Sequence, residues 1–268
     1  MALRVSIGQY YSADSPIHRL DPRVKLVGAV AFMASCLFVH TPATLALAGV
    51  AVLAAVALAR VPLGRLVAQI KPIALFLVLT SLINLLFVNS GTPVLPLGPL
   101  TIYSGGLEAA TLYTLRFLLL LLAGSLLTLT TTPVALADAA ERLLKPLEAC
   151  GVPVGQGVLV FTIALRFVPI LAQEARSIVA AQTARGAEIE HAGALAYARA
   201  CVPLVVPLFA GALRHAEHLG RAMDARGYTG QERTHYHVLR LNARRDAPAI
   251  AVLACYLVLI IAFNLTGW

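Results

Sequence analysis

The side chains with the most chemical capacity in this 268-residue chain are a few histidines, four cysteines and two arginines in matching contexts. His215 and His218 stand one helical turn apart with Glu217 between them, and His235 and His237 flank Tyr236. Imidazoles at such spacings suit a transition metal. Neither pair has a cysteine nearby or a third ligand in sequence, so solvated interfacial histidines are expected instead of a metal centre. Cys36, Cys150, Cys201 and Cys255 are scattered and form no C-x-x-C pair, which argues against a zinc site and against a disulfide framework. The lysines, Lys25, Lys71 and Lys145, follow Val24, Ile70 and Leu144. None closes a G-x-x-x-x-G-K loop, so ATP binding by that route is not expected. G-x-S-x-G, H-E-x-x-H and G-x-G-x-x-G are also missing from the sequence. No catalysis by this chain and no cofactor of its own are expected.

The arginines are more telling. Gln182-Thr183-Ala184-Arg185-Gly186 and Met223-Asp224-Ala225-Arg226-Gly227 both end Ala-Arg-Gly, 41 residues apart. Glycine after a helix takes the left-handed cap, and arginine in a last turn complements the helix dipole. Each motif alone reads as an ordinary capped helix. Two of them read as equivalent plugs. Alanine and glycine leave the guanidinium unobstructed, and it can fork onto carboxylates or carbonyls of a partner.

The elements that must carry these residues follow from composition. Hydrophobic residues make up 59% and charged residues only 13%, against about 25% charged in ordinary globular domains. That excludes a plain soluble enzyme, and it excludes disorder. The net charge of +8 fits basic cytoplasmic loops and not nucleic acid. No secretory signal is expected, because mostly polar residues precede the first apolar run.

A spanning helix needs about 20 mostly apolar residues. Charge gaps place spans at about 26–39, 43–59, 72–88, 107–131 and 247–265, with His40-Thr41-Pro42 dividing the first two. Glu108 and Arg116 fall near the start of the fourth. Prolines and glycines in 89–106 mark a loop. Arg4, Arg19, Arg23 and Lys25 precede the first span; Arg60, Arg65 and Lys71 follow the second; 13 Lys/Arg lie in 132–247. This alternation puts the N-terminus and 132–247 in the cytoplasm. The expected architecture is all-α and polytopic, with about five transmembrane helices. Residues 1–131 form a four-span bundle, 132–246 a cytoplasmic region of long amphipathic helices, and 247–268 a last span.

Within that region Thr132-Pro133 opens a helix. Leu136, Ala140, Leu143, Leu144 and Leu147 fall on one arc, opposite Asp138, Glu141, Arg142, Lys145 and Glu148. Pro146 bends its last turn, and Gly151 and Pro153 stop it. Further helices are expected from about Val154 to Arg185 and from about Ala194 to Arg226. Residues 152–172 and 201–213 are apolar enough to be shallow or re-entrant. The spans offer almost no ionisable pathway: Asn84 with Thr80 and Ser81 reads as helix–helix glue, and Arg116 as a snorkelling residue.

An ordered set of motifs now resembles a known family. Ser15-Pro16-Ile17-His18-Arg19-Leu20-Asp21-Pro22-Arg23-Val24-Lys25-Leu26 is similar to the N-terminal signature of the transmembrane T component of energy-coupling factor (ECF) transporters, the EcfT/CbiQ family. Leu127-Thr128-Leu129-Thr130-Thr131-Thr132-Pro133, Leu143-Leu144-Lys145-Pro146-Leu147, Leu165-Arg166-Phe167-Val168-Pro169 and both Ala-Arg-Gly tips also resemble it. The resemblance covers nearly the whole chain.

It implies a non-catalytic subunit in a prokaryotic cell membrane. Its partners would be two cytoplasmic ABC-type ATPases, which bind ATP and magnesium, a small membrane-embedded substrate-binding S component, and the bilayer. Coupling helices would cross and dock Ala184-Arg185-Gly186 and Ala225-Arg226-Gly227 into the ATPases. Leu136, Leu143, Leu144, Leu147, Arg166 and Pro169 would belong to the platform beneath the S component. The set resembles shared, vitamin-type T components more than those dedicated to cobalt or nickel. His18, Leu20, Asp21, Pro22, Arg23 and Lys25 also have a plainer reading, with Asp21 as N-cap and Pro22 opening the first span. A secondary transporter and a membrane-bound enzyme are the readings from other classes.

Overall fold

A computed structural model describes residues 10–97, 100–186, 194–230 and 242–266. Its helices are α1 (Pro22–Cys36), α2 (Pro42–Ala59), α3 (Leu63–Phe87), α4 (Ser104–Thr130), α5 (Pro133–Leu144), α6 (Val154–Ala184), α7 (Ala194–Ala225) and α8 (Ala243–Thr266). A short hairpin, β1 (Pro93–Leu97) and β2 (Leu100–Tyr103), precedes α4, and a 3-10 turn (Lys145–Cys150) follows α5. The chain is an all-α polytopic membrane protein. It divides into two compact units, one of Gln9–Ala140 with Leu239–Trp268, the other holding Glu141–Val238.

Among the described residues five helices are long and apolar enough to cross a membrane: α2, α3, α4, α6 and α8. The number matches the expectation, but one member differs. The run expected at 26–39 sits in α1, which has 15 residues. Such a helix is about 22 Å long, short of the ~30 Å hydrocarbon core. The fifth long apolar helix is instead α6, with 31 residues.

In the first unit α4 packs against α1, α2 and α3, while α8 packs against α1 and α2. Phe32 of α1 stacks on Tyr256 of α8 at 5.4 Å between ring centroids. Ser35 bridges the same pair, its hydroxyl 2.9 Å from that of Tyr256. The break at His40-Thr41-Pro42 is real: Thr41 and Thr44 form a reciprocal capping box at the start of α2.

Two expectations change here. Residues 89–106 are not all loop. Val94, Thr101, Ile102 and Tyr103 are strand formers, and β1 pairs antiparallel with β2, Pro96 opposite Thr101. A two-stranded ribbon tolerates proline on its open edges. Arg116 lies in the middle of α4 and not near its start, because the helix opens at Ser104. Its Nη2 donates to His40 Nδ1 at 3.4 Å, and its Cζ lies 5.3 Å from the centroid of the Tyr113 ring.

In the second unit α6 packs against α7 and against the 3-10 turn. The helix from Thr132 starts as expected, with Thr132 Oγ1 accepting the Ala135 N–H at 3.3 Å. It tightens into the 3-10 turn where Pro146 removes a donor. Gly151 ends the turn at φ +84°. Glu148 Oε1 then accepts the Gly155 N–H at 3.0 Å, which satisfies one of the orphan donors in the first turn of α6.

Candidate functional site

The two tips are built alike. At the end of α6 the Arg185 N–H donates to Ala181 O and Gln182 O at 3.3 and 3.1 Å. Gly186 follows at φ +89° and donates to Thr183 O at 3.0 Å. At the end of α7 the Arg226 N–H donates to Met223 O at 3.1 Å, and Gly227 follows at φ +70°. Gly227 N–H reaches Asp224 O at 2.9 Å and Tyr228 N–H reaches Met223 O at 3.0 Å. These are the two closing bonds of a left-handed cap. The positive φ is why glycine stands at 186 and 227, since other residues pay a steric penalty there. Ala184, Arg185, Gly186, Ala225, Arg226 and Gly227 are all exposed. Among the described residues neither guanidinium has a hydrogen bond or an ion pair. Each tip thus presents a forked cation with no side chain beside it bulkier than a methyl group.

The N-terminal signature forms a bracket in the first unit. Asp21 caps α1, Oδ1 accepting the Arg23 N–H at 2.9 Å, with Pro22 in the first turn. Arg23 Nε lies 3.8 Å from the same oxygen. Lys25 Nζ donates to His18 O at 3.0 Å and to Thr130 O at 3.1 Å, tying α1 to the end of α4. The Tyr11 N–H donates to Leu129 O at 2.9 Å, beside that second contact. The Leu20 N–H donates to Ile17 O at 3.2 Å in the turn before α1.

His18 Nε2 lies 3.0 Å from Tyr11 O, and Nδ1 lies 2.7 Å from Ser15 Oγ. A carbonyl only accepts, so Nε2 carries a hydrogen, and neutral Nδ1 accepts from the Ser15 hydroxyl. Burial lowers the His18 pKa; the bond to Tyr11 O opposes that, and the Lys25 ammonium adds to it.

Asp246, not singled out in the sequence, completes this bracket. It is buried at the start of α8; Oδ1 accepts the Asp21 N–H at 3.1 Å and Oδ2 the Asn242 N–H at 2.8 Å. An acid among Arg244, Arg245 and Pro248 at a helix start was the available signal. A crevice of about 230 Å³ lies between α1, α2, α4 and α8. Its lining is mostly apolar, with Lys25 and Thr130 among its few polar members and no carboxylate.

The residues expected in the platform lie open. Leu136 is half-buried, while Leu143, Leu144, Leu147, Arg166 and Pro169 are exposed. The buried side of α5 is instead Ala137, Ala139 and Glu141. Glu141, on the arc opposite the leucines, thus belongs to the packed side. Its carboxylate lies beside Gly155 at the start of α6. Along α6 and α7, Val160, Phe161, Val206, Phe209 and Leu213 are also exposed. An apolar surface of this extent marks contact with lipid or with another protein.

The histidine reading is corrected in part. His215 is not simply solvated: its Nε2 lies 3.4 Å from Glu174 Oε2, and its ring is 6.0 Å from that of Phe167. Among the described residues no three His, Cys, Asp or Glu side chains gather as metal ligands. His235 and His237 lie outside the described residues.

Fold and site together define a helical membrane subunit that displays two arginine-tipped helices. Residues 13–236 match the CbiQ family, described as cobalt transport protein. The chain is 38% identical over 256 residues to the energy-coupling factor transporter transmembrane protein EcfT of Heliobacterium modesticaldum, covering 95% of this chain and 96% of that one. It is 40% identical over 248 residues to the EcfT of Bacillus subtilis, covering 92% and 94%. An ABC transporter ATP-binding protein of Bifidobacterium longum is 45% identical over 251 residues, 93% of this chain, which spans only 32% of that protein. The chain belongs to the EcfT/CbiQ family of energy-coupling factor transporter transmembrane proteins.

Proposed function

We propose that this chain is the coupling subunit of an ATP-driven micronutrient importer, carrying movement from two cytoplasmic ATPases to a small substrate-binding membrane protein. The observation that carries the reading is the pair of exposed arginines, Arg185 and Arg226, each followed by a glycine at positive φ at the end of its helix. Two like plugs fit two like sockets. ATP and magnesium belong to the ATPases, and this chain performs no chemistry. The Bifidobacterium relative supports an ATPase partner: a segment like this chain makes up a third of a protein named as ATP-binding.

Residues 1–131 and 247–268 form the membrane bundle, with the N-terminus in the cytoplasm of a prokaryotic cell. Residues 132–246 form the coupling region. Its open leucines, Leu143, Leu144 and Leu147, and the exposed apolar faces of α6 and α7 supply the platform for the substrate-binding protein. A vitamin is the favoured cargo, carried by that partner. Cobalt or nickel is the second reading, favoured by the description of the matching family.

The test is a mild-detergent pull-down of the tagged protein, with mass spectrometry of what is retained. One or two ATPases and a small hydrophobic protein are expected, and the last identifies the cargo. Recovery of this chain alone, with uptake that persists in ATP-free liposomes, overturns the proposal in favour of a secondary transporter.

A further inference from the structure

We infer that Glu174, Gly211 and His215 form the pivot on which α6 and α7 are held, and that this pivot makes the two arginine tips move as one body. Glu174 is the only acid between Val154 and Ala184, and it turns toward α7. A Cβ on Gly211 would lie 2.7 Å from Glu174 Cδ and 2.9 Å from Oε2. Glycine at 211 therefore makes the space that the carboxylate occupies. Oε2 is shut off from solvent, and among the described residues it has no hydrogen-bond partner. The polar group beside it is the His215 ring, whose Nε2 lies 3.4 Å away.

Two arginines of these helices are engaged within their own helix. Arg176 Nε donates back to Ala172 O at 3.1 Å, and Arg221 Nη2 lies 3.9 Å from Glu217. Exposed ion pairs contribute little. A carboxylate oxygen closed off from water is different, because without the imidazole edge beside it nothing nearby offsets its desolvation.

The placement adds a second argument. Glu174 and His215 are 41 residues apart, the same offset that relates Arg185 to Arg226. Each therefore stands eleven residues before the arginine of its own helix. Eleven residues are about 16 Å and close to three full turns, so pivot residue and arginine share a face. The two arms are equal in length. A push on one tip is carried to the other through a fulcrum equidistant from both, and Glu174 and His215 are positioning residues. This role rests on the coupling reading; the geometry of the pivot does not.

The test uses the full-length chain in lipid nanodiscs, spin-labelled at Ala181→Cys and Ala222→Cys, both exposed positions on the arms. Pulsed electron resonance gives the distance distribution between them. The parent gives one narrow peak. Glu174→Gln, which keeps the shape and removes the charge, broadens it, and so does His215→Ala. His215→Lys, which restores an N–H donor, narrows it again. A peak as narrow in Glu174→Gln and His215→Ala as in the parent overturns the pivot. So does a peak that stays broad in His215→Lys, since the imidazole would then act by packing alone.

Uptake per ATP hydrolysed, measured with co-purified partners, separates the two claims. The pivot predicts a loss of about five-fold or more in His215→Ala, with ATPases still bound. Unchanged uptake per ATP beside a broadened peak overturns the transmission role and leaves the docking reading standing.

Discussion

The backbone N–H of Asp21 donates to the carboxylate of Asp246 at 3.1 Å, across 225 residues of sequence. The bond joins the first turn of α1 to the first turn of α8. Both acids are buried, and each also serves its own helix start: Asp21 accepts the Arg23 N–H, and Asp246 accepts the Asn242 N–H. One carboxylate thus closes the membrane unit between its first and last helices.

Asp246→Ala is expected to destabilise that unit by about 1–3 kcal/mol, because it strands two backbone donors in a closed setting. Thermal unfolding followed by circular dichroism in detergent measures this. Asp246→Asn keeps one acceptor oxygen and is expected to fall between the parent and the alanine variant. An alanine variant as stable as the parent contradicts the closing role.

Lys25 spans His18 O and Thr130 O with one ammonium. Lys25→Met should cost at least about 2 kcal/mol, since bonds to charged donors are the stronger kind. The segment ahead of α1 should loosen from α4. Limited trypsin digestion reads this directly, because Arg19 is exposed next to that bracket. Faster cleavage after Arg19 is expected, and an unchanged rate would mean that the bracket is held by other contacts.

Burial holds the His18 pKa below its ordinary value of 6.5. Below that pH the unfolded chain takes up a proton that the folded chain resists, so folding stability declines with acidification. The contribution of neutral His18 is complete above about pH 6.5 and is lost as pH falls toward the folded value. His18→Asn should flatten this part of the stability profile. A profile of the same slope in the variant would assign the acid sensitivity elsewhere.

Gly227 sits at φ +70°. Gly227→Ala should cost about 1 kcal/mol in the α7 cap, and hydrogen exchange at the Gly227 and Tyr228 amides should quicken. ATPase recovery should fall while the membrane unit melts unchanged. Unaltered exchange would show that the cap tolerates a side chain.

The sequence made some of this legible and concealed the rest for physical reasons. Helix ends announce themselves locally, so α6 and α7 were bounded from Pro153, Gly186 and Gly227 to within a residue of where they stop. Thr132, Pro146 and Gly151 likewise marked α5 and its tightened end. Span length was less legible. The charge gap after Lys25 reads as two spans, yet α1 ends at Cys36, and the apolar length lies instead in α6, where Arg166 obscured it. The hairpin at 93–103 hid behind its prolines.

Contacts between distant segments left the weakest trace. Nothing beside Asp246 announces that its partner is the amide of Asp21. Periodicity puts Glu141 opposite the leucines without saying what packs on either face. His215 was paired with His218 by spacing, whereas α6 supplies its partner, Glu174. The 41-residue offset that relates the two arginines also relates Glu174 to His215.

The most direct test of the account is charge reversal at the tips. Arg185→Glu, Arg226→Glu and the double variant are expressed with the partner proteins, and the ATPase retained on the tagged chain is quantified. Each single reversal should weaken association by about ten-fold or more. The double variant should retain no ATPase, while its membrane unit melts as the parent does. Full ATPase recovery on a folded double variant would contradict the claim that Arg185 and Arg226 dock this subunit to its ATPases.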